Sequence, residues 1–93
     1  MSALSGIRVV DITNNQAGPS CGQMLAWFGA DVVKVEEPNG GDIARRNMRD
    51  RPDADSLFFL SFNANKKSLT LNLKTPQGKE VFRRLLATAD VLL

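Results

Sequence analysis

Histidine and tyrosine are absent from this 93-residue chain, and cysteine occurs once. Without histidine there is no Ser-His or Cys-His nucleophile pair and no histidine-containing metal site. A lone Cys21 cannot close an intramolecular disulfide, which points to a reducing, cytoplasmic setting. Charge of one sign is scarce as well. The net charge is +2, with acids and bases mixed along the chain, too little asymmetry for a nucleic-acid partner. No apolar run approaches the ~20 residues of a membrane span. The N-terminus reads as lacking the basic and apolar regions of a secretory leader. A hydrophobic fraction of 43% and a charged fraction of 24% are ordinary for a globular protein.

What is present alternates in type. Ile7 to Ile12 is a nearly continuous apolar run around Val9 and Val10, as a strand covered on both faces requires. Cys21 to Phe28 follows, with Cys21, Met24, Leu25 and Phe28 at helical spacing, which predicts a buried stripe. Gly29 is placed to end that helix, and Asp31 to Glu36 reads as a second strand. Pro38 to Asp42 is a turn cluster. Ile43 to Asp53 carries no clear period and reads as loop with one helical turn. Asp55 to Phe62 reads as a short helix. Ser68 to Leu73 alternates cleanly, with Leu69, Leu71 and Leu73 on one side. Thr75-Pro76 is a helix start, and Val81, Phe82, Leu85, Leu86 and Ala89 predict its buried stripe. Asp90 to Leu93 reads as a further strand.

This order predicts an α/β fold: the N-terminal part of a Rossmann-like parallel sheet, β-α-β and then α/β, incomplete on its own. One domain segment spans 1–93. The end strands and thin helical cover leave Val91, Leu92 and Leu93 without a partner, which predicts association with other chains or with more polypeptide.

The chemistry centres on Gln16-Ala17-Gly18-Pro19-Ser20-Cys21, the loop after the first strand. In open α/β sheets, ligands bind at that carboxyl edge. Gln16 has an amide that both donates and accepts. Ala17 and Gly18 present bare backbone, and a helix start at Ser20 would favour an anion such as carboxylate or phosphate. Taken singly, Gln16 is a surface glutamine, Ser20 an N-cap and Cys21 an inert packed thiol. Glu36 stands where a dinucleotide-binding unit keeps its ribose acid, but no G-x-G-x-x-G precedes it. Lys66 and Lys67 are either phosphate contacts or an ordinary solvated pair.

Several ordered segments together are more specific than any of these residues. Leu4 to Asp11, Gln16 to Cys21, Gly29 to Glu36, Gly40-Gly41-Asp42, Phe62 to Ser68, Leu71 to Gly78 and Ala89 to Leu92 resemble the N-terminal part of the class III CoA-transferases. Ser20 to Glu36 and Phe62-Asn63 are closer to the branch acting on formyl-CoA and oxalate than to the acyl-CoA racemases. The resemblance implies a cytoplasmic homodimer whose substrates are an acyl-CoA and a carboxylic acid. Coenzyme A is then carried as an ester substrate, with no tightly bound cofactor. It implies catalysis by an aspartate that none of Asp11, Asp31, Asp42, Asp50, Asp53, Asp55 or Asp90 matches, so the chain alone is expected to be inactive. It places Gln16 and Ala17 at the acyl end of the site, Gln16 in a supporting catalytic role, and Leu71, Asn72, Leu73 and Lys74 against CoA. Glu37 departs from the pattern, since related enzymes often carry arginine there, and a carboxylate would repel CoA phosphates. The alternative expectation is a non-catalytic nucleotide-binding or structural α/β fragment.

Overall fold

A computed structural model describes residues 2–93. Four strands form one sheet: β1 (Arg8–Asp11), β2 (Asp31–Glu36), β3 (Lys67–Thr70) and β4 (Val91–Leu92). Every pairing is parallel, in the order β3-β2-β1-β4. That is the order of the first four strands in a doubly wound nucleotide-binding sheet, with its reversal between β1 and β4. The α/β parallel sheet expected from the sequence is therefore present. Helices α1 (Ala17–Trp27), α2 (Leu57–Ser61) and α3 (Pro76–Leu86) occupy the connections, and a 3₁₀ turn covers Ile43–Arg45.

Register follows from β-branched bulk. Val9 pairs with Val32 and Val10 with Val33, and the first three of these are fully buried or nearly so. Val9 and Val32 join Ala26 and Ala30 in the core under α1, with Leu4, Ile7, Leu25 and Leu93 packed around them. Leu93 is thus half-buried, whereas Val91 and Leu92 stand exposed on the edge strand.

Local capping agrees with the sequence. Thr75 Oγ1 accepts from Gly78 N at 3.1 Å, with Pro76 opening α3. Ser56 Oγ caps α2 by accepting from Phe59 N at 3.0 Å. Gly29 takes φ +105° after α1. The alternation of Leu69, Leu71 and Leu73 holds, each half-buried between exposed neighbours, although regular pairing stops at Thr70.

Three expectations are corrected. Helix α1 begins at Ala17, not at Ser20, because Pro19 is tolerated in a first turn and Ser20 N already donates to Gln16 O. Its buried residues are Pro19, Gly22, Gln23 and Ala26, while Cys21, Met24 and Phe28 are exposed. At ~100° per residue the apolar stripe lies almost opposite the buried face. Gly22 and Ala26 lie on the inner face, and at Gly22 the helix approaches the sheet closely. A Cβ on Gly22 would sit 2.7 Å from Asp11 Oδ2. The stripe of α3 is likewise only half-buried, with Val81 exposed.

Candidate functional site

Below the first turn of α1 the sheet changes character. Side chains alternate along a strand, so Val9 and Asp11 of β1 share a face with Val32, Lys34 and Glu36 of β2. The valines meet helix. The three charged residues are also buried, and each has an opposite charge. Lys66 Nζ is 2.9 Å from Asp11 Oδ2, Lys34 Nζ is 2.8 Å from Asp42 Oδ2, and Arg45 reaches Glu36 at 2.7 Å. Paired charges in the interior persist only when their remaining hydrogen-bonding capacity is filled. Lys66 also donates to the Pro19 and Asn63 oxygens, at 2.9 and 2.8 Å. Glu36 accepts two bonds from Arg45, one from Asp42 N and one from Ser68 Oγ. The Arg45 guanidinium stacks 4.0 Å from the Phe59 ring centroid.

These surroundings set the proton affinities. Burial pushes the Glu36 carboxyl up, but Arg45, the Asp42 amide and Ser68 outweigh it and hold the group near 2. Burial opposes Asp42 in the same way and is outweighed by Lys34 and the amides of Asn15 and Ala44, so its carboxyl also lies below the ordinary range. Lys66 is lowered, chiefly because burial disfavours its ammonium, with Asp11 acting against that.

Glu36 therefore cannot serve a ribose, since its oxygens are occupied within the fold. Lys66 is neither a phosphate contact nor a solvated lysine; its ammonium is a buried strut. Lys67 is exposed and pairs with Asp31 at 2.7 Å. Gly18 does not open the backbone to a ligand either. Its missing side chain makes room for that of Thr13.

The carboxyl ends of β1, β2 and β3 border a cleft of about 430 Å³. Ile12 and Asn14 come from the loop after β1, Glu37, Pro38 and Asn39 from the turn after β2, and Leu71, Asn72, Leu73 and Lys74 from the segment after β3. The last four residues, expected together from the sequence, are thus brought together on one wall. Asn72 shapes that wall: its Oδ1 accepts from Lys74 N at 3.0 Å, and its carbonyl accepts from Thr75 Oγ1 at 2.9 Å. Gln16 and Ala17 are exposed at the start of α1, two and three residues past Asn14, and do not line this cleft. Gln16 is the N-cap of α1 without a side-chain capping bond, so its amide is not spent on the helix. Glu37 does line the cleft. Its oxygens accept from Asn39 N at 2.6 Å and Gly41 N at 3.0 Å.

Sequence reasoning missed the buried ion pairs. Their signal was there: Lys34 interrupts a run of valines, and Asp11 closes an apolar strand. No aspartate lines the cleft. Asp11 and Asp42 are wholly buried and ion-paired. Among the described residues no helix is long and apolar enough to cross a membrane.

Comparison with known proteins is consistent along the whole chain. Residues 4–93 match CoA-transferase family III. The chain is 56% identical over 90 residues to formyl-CoA:oxalate CoA-transferase of Escherichia coli O6:H1, covering 97% of this chain and 22% of that protein. The same identity and coverage relate it to the protein of that name in Shigella boydii serotype 18. Among solved structures, a CAIB/BAIF family protein from Brucella suis superposes with TM-score 0.89 at 38% identity, covering 98% of this chain and 25% of that one. The hypothetical protein Rv3272 of Mycobacterium tuberculosis superposes with TM-score 0.88 at 44% identity, covering 99% and 25%. The chain thus spans about a fifth to a quarter of the length of these relatives, and by sequence and fold alike it belongs to CoA-transferase family III.

Proposed function

We propose that this chain forms the CoA-ester-binding N-terminal segment of a cytoplasmic, homodimeric CoA-transferase, with formyl-CoA and oxalate, or a similar pair, as its substrates. The observation that carries the proposal is the convergence of Leu71 to Lys74 on the cleft at the carboxyl edge of the sheet. The family match over residues 4–93 supports the reaction class.

The reaction begins when an aspartate carboxylate attacks the thioester carbonyl. The carbon–sulfur bond breaks, CoA leaves as thiolate, and a mixed anhydride forms. The thiolate then attacks the aspartyl carbonyl of the anhydride, expelling the acyl carboxylate and leaving an aspartyl thioester. The incoming carboxylate repeats these two displacements in reverse order and departs as the new CoA ester. This is covalent catalysis by a carboxylate nucleophile. The nucleophile comes from outside this chain, a reading supported by the buried, paired state of Asp11 and Asp42. Each displacement develops negative charge on a carbonyl oxygen, which a donor such as the free Gln16 amide would stabilise. Lys74 supplies positive charge to CoA phosphates, and Asn72 and the two leucines supply shape and contact.

The test is steady-state kinetics in the full-length transferase. Gln16→Ala is expected to lower kcat by about 10²-fold, the usual cost of one oxyanion donor, with little change in the KM for formyl-CoA. Lys74→Ala is expected to raise that KM and leave kcat nearly unchanged. A Gln16→Ala variant altered only in KM would remove the catalytic role. Measurable transfer by the isolated 93-residue chain would overturn the assignment of the nucleophile.

A further inference from the structure

The loop from Thr13 to Gln16 carries no regular hydrogen-bonding ladder, yet buried charge holds it from three sides. Asp11 Oδ1 accepts from both the backbone N–H and the hydroxyl of Thr13. Lys34 Nζ donates to the Thr13 carbonyl at 3.0 Å. Asp42 Oδ1 accepts from Asn15 N at 2.9 Å. The next residue, Gln16, is the N-cap of α1, and Lys66 grips the first turn of that helix through the Pro19 carbonyl at 2.9 Å.

The same four charged groups form the two pairs described above, Lys34 with Asp42 and Lys66 with Asp11. Each pair therefore spends one face on its partner and another on the loop. Asn15 is held at φ +74°, a left-handed conformation that non-glycine residues adopt at a cost. Such a conformation persists only where its surroundings over-determine it. Here the Asp42 bond to Asn15 N and the Lys34 bond to the Thr13 carbonyl meet that condition.

We propose that the two buried ion pairs, Lys34–Asp42 and Asp11–Lys66, are positioning residues that fix the Thr13–Gln16 loop and so aim the Gln16 amide at the CoA ester. The placement of the loop stands on geometry. Its catalytic consequence rests on the reading of Gln16 given above. None of the four charged side chains lines the cleft, so they act through the loop and not on the substrate.

Two variants test this in the full-length transferase. Asp42→Asn keeps an oxygen for Asn15 N but dissolves the pair. Thr13→Val removes only the hydroxyl bond to Asp11 at constant shape, and it stays informative if the buried substitution impairs folding. For both, amide exchange at Thr13 and Asn15, whose N–H groups the carboxylates of Asp11 and Asp42 hold, is expected to accelerate about tenfold or more, as loss of a buried hydrogen bond implies. Amides of Val10 and Val33 should keep their protection. The kcat is expected to fall about tenfold while the KM for formyl-CoA stays within about twofold. In a Gln16→Ala background, neither variant should lower kcat further, since both act through that side chain.

Unchanged loop exchange, or sheet amides accelerating in step with the loop, would overturn the proposal and leave the pairs as plain core struts. Additive losses of kcat with Gln16→Ala would overturn the route through Gln16. Local loosening in variants whose kcat is untouched, with Gln16→Ala equally silent, would uphold the clamp and remove the catalytic reading of Gln16 instead.

Discussion

Protonating Glu36 should loosen the sheet, and the size of the effect follows from its surroundings. The folded carboxyl lies near 2 against an ordinary value of 4.5. A depression of that size corresponds to about 3 kcal/mol of stability. The sign follows from linkage: the folded pKa is the lower one, so the contribution is fully present above about pH 5 and is lost as pH falls toward 2. Glu36→Gln removes the titration. It also turns an amide N–H₂ toward Arg45, so at pH 7 the variant should be less stable than the parent by about 3 kcal/mol. The gap should close on acidification, because only the parent has a proton to gain. By about pH 2.5 roughly three-quarters of it should be gone. Urea unfolding curves followed by circular dichroism at half-unit pH intervals measure the difference directly. Other carboxylates titrate in both proteins and cancel. A gap that stays constant from pH 7 to about pH 2.5 would refute the coupling of Glu36 to Arg45.

Two further outcomes follow from the close approach of α1 and from the acid in the cleft. Gly22→Ala should improve helix propensity by up to about 1 kcal/mol, yet its Cβ would stand 2.7 Å from Asp11 Oδ2 and 3.3 Å from Lys66 Nζ. Overpacking typically costs about 1–3 kcal/mol, so a lower Tm is expected in thermal unfolding, and a higher Tm would refute the close contact. Glu37→Arg replaces a carboxylate in the cleft by a cation and should lower the KM for the CoA ester about two- to fivefold at low salt, the scale of an exposed ion contact. The gain should fade above about 0.5 M salt, and a KM that rises on this substitution would exclude CoA phosphates from that wall.

Strands β1 and β2 were legible because valines dominate them, and their bulk suits a pleated, doubly covered surface whatever surrounds it. The helix start at Thr75 was legible for a similar reason, since a cap is a local bond between near neighbours. Helix α1 was misread because apolar spacing reports which face is greasy, not which face is close to the sheet. Gly22 carries little hydrophobicity, yet its missing side chain lets the helix descend onto Asp11 and Lys66. The wall from Leu71 to Lys74 could be named from resemblance to a family, but its cleft depends on three strand ends meeting, which no single segment encodes. The ion pairs join positions as far apart as Asp11 and Lys66, 55 residues along the chain. The local pattern marks Asp11 as a charge in an apolar strand, but it does not say which distant lysine meets it.

The pairing of β1 with β4 also sets a clock for folding. Arg8 N bonds to Asp90 across 82 residues of sequence, and every other strand pair is likewise parallel and non-local. Topologies of this kind fold slowly, since chain closure must precede the contacts that reward it. On a ribosome adding about 5–20 residues per second, β1 waits roughly 4–16 s for the strand that completes its second edge. During that interval β1 keeps one row of backbone donors and acceptors unpaired beside Val9 and Val10. Strand β4 then closes the gap. The segment is therefore most exposed to mispairing while it is being made, and a chaperone that shields strand edges would have its chief effect in those seconds.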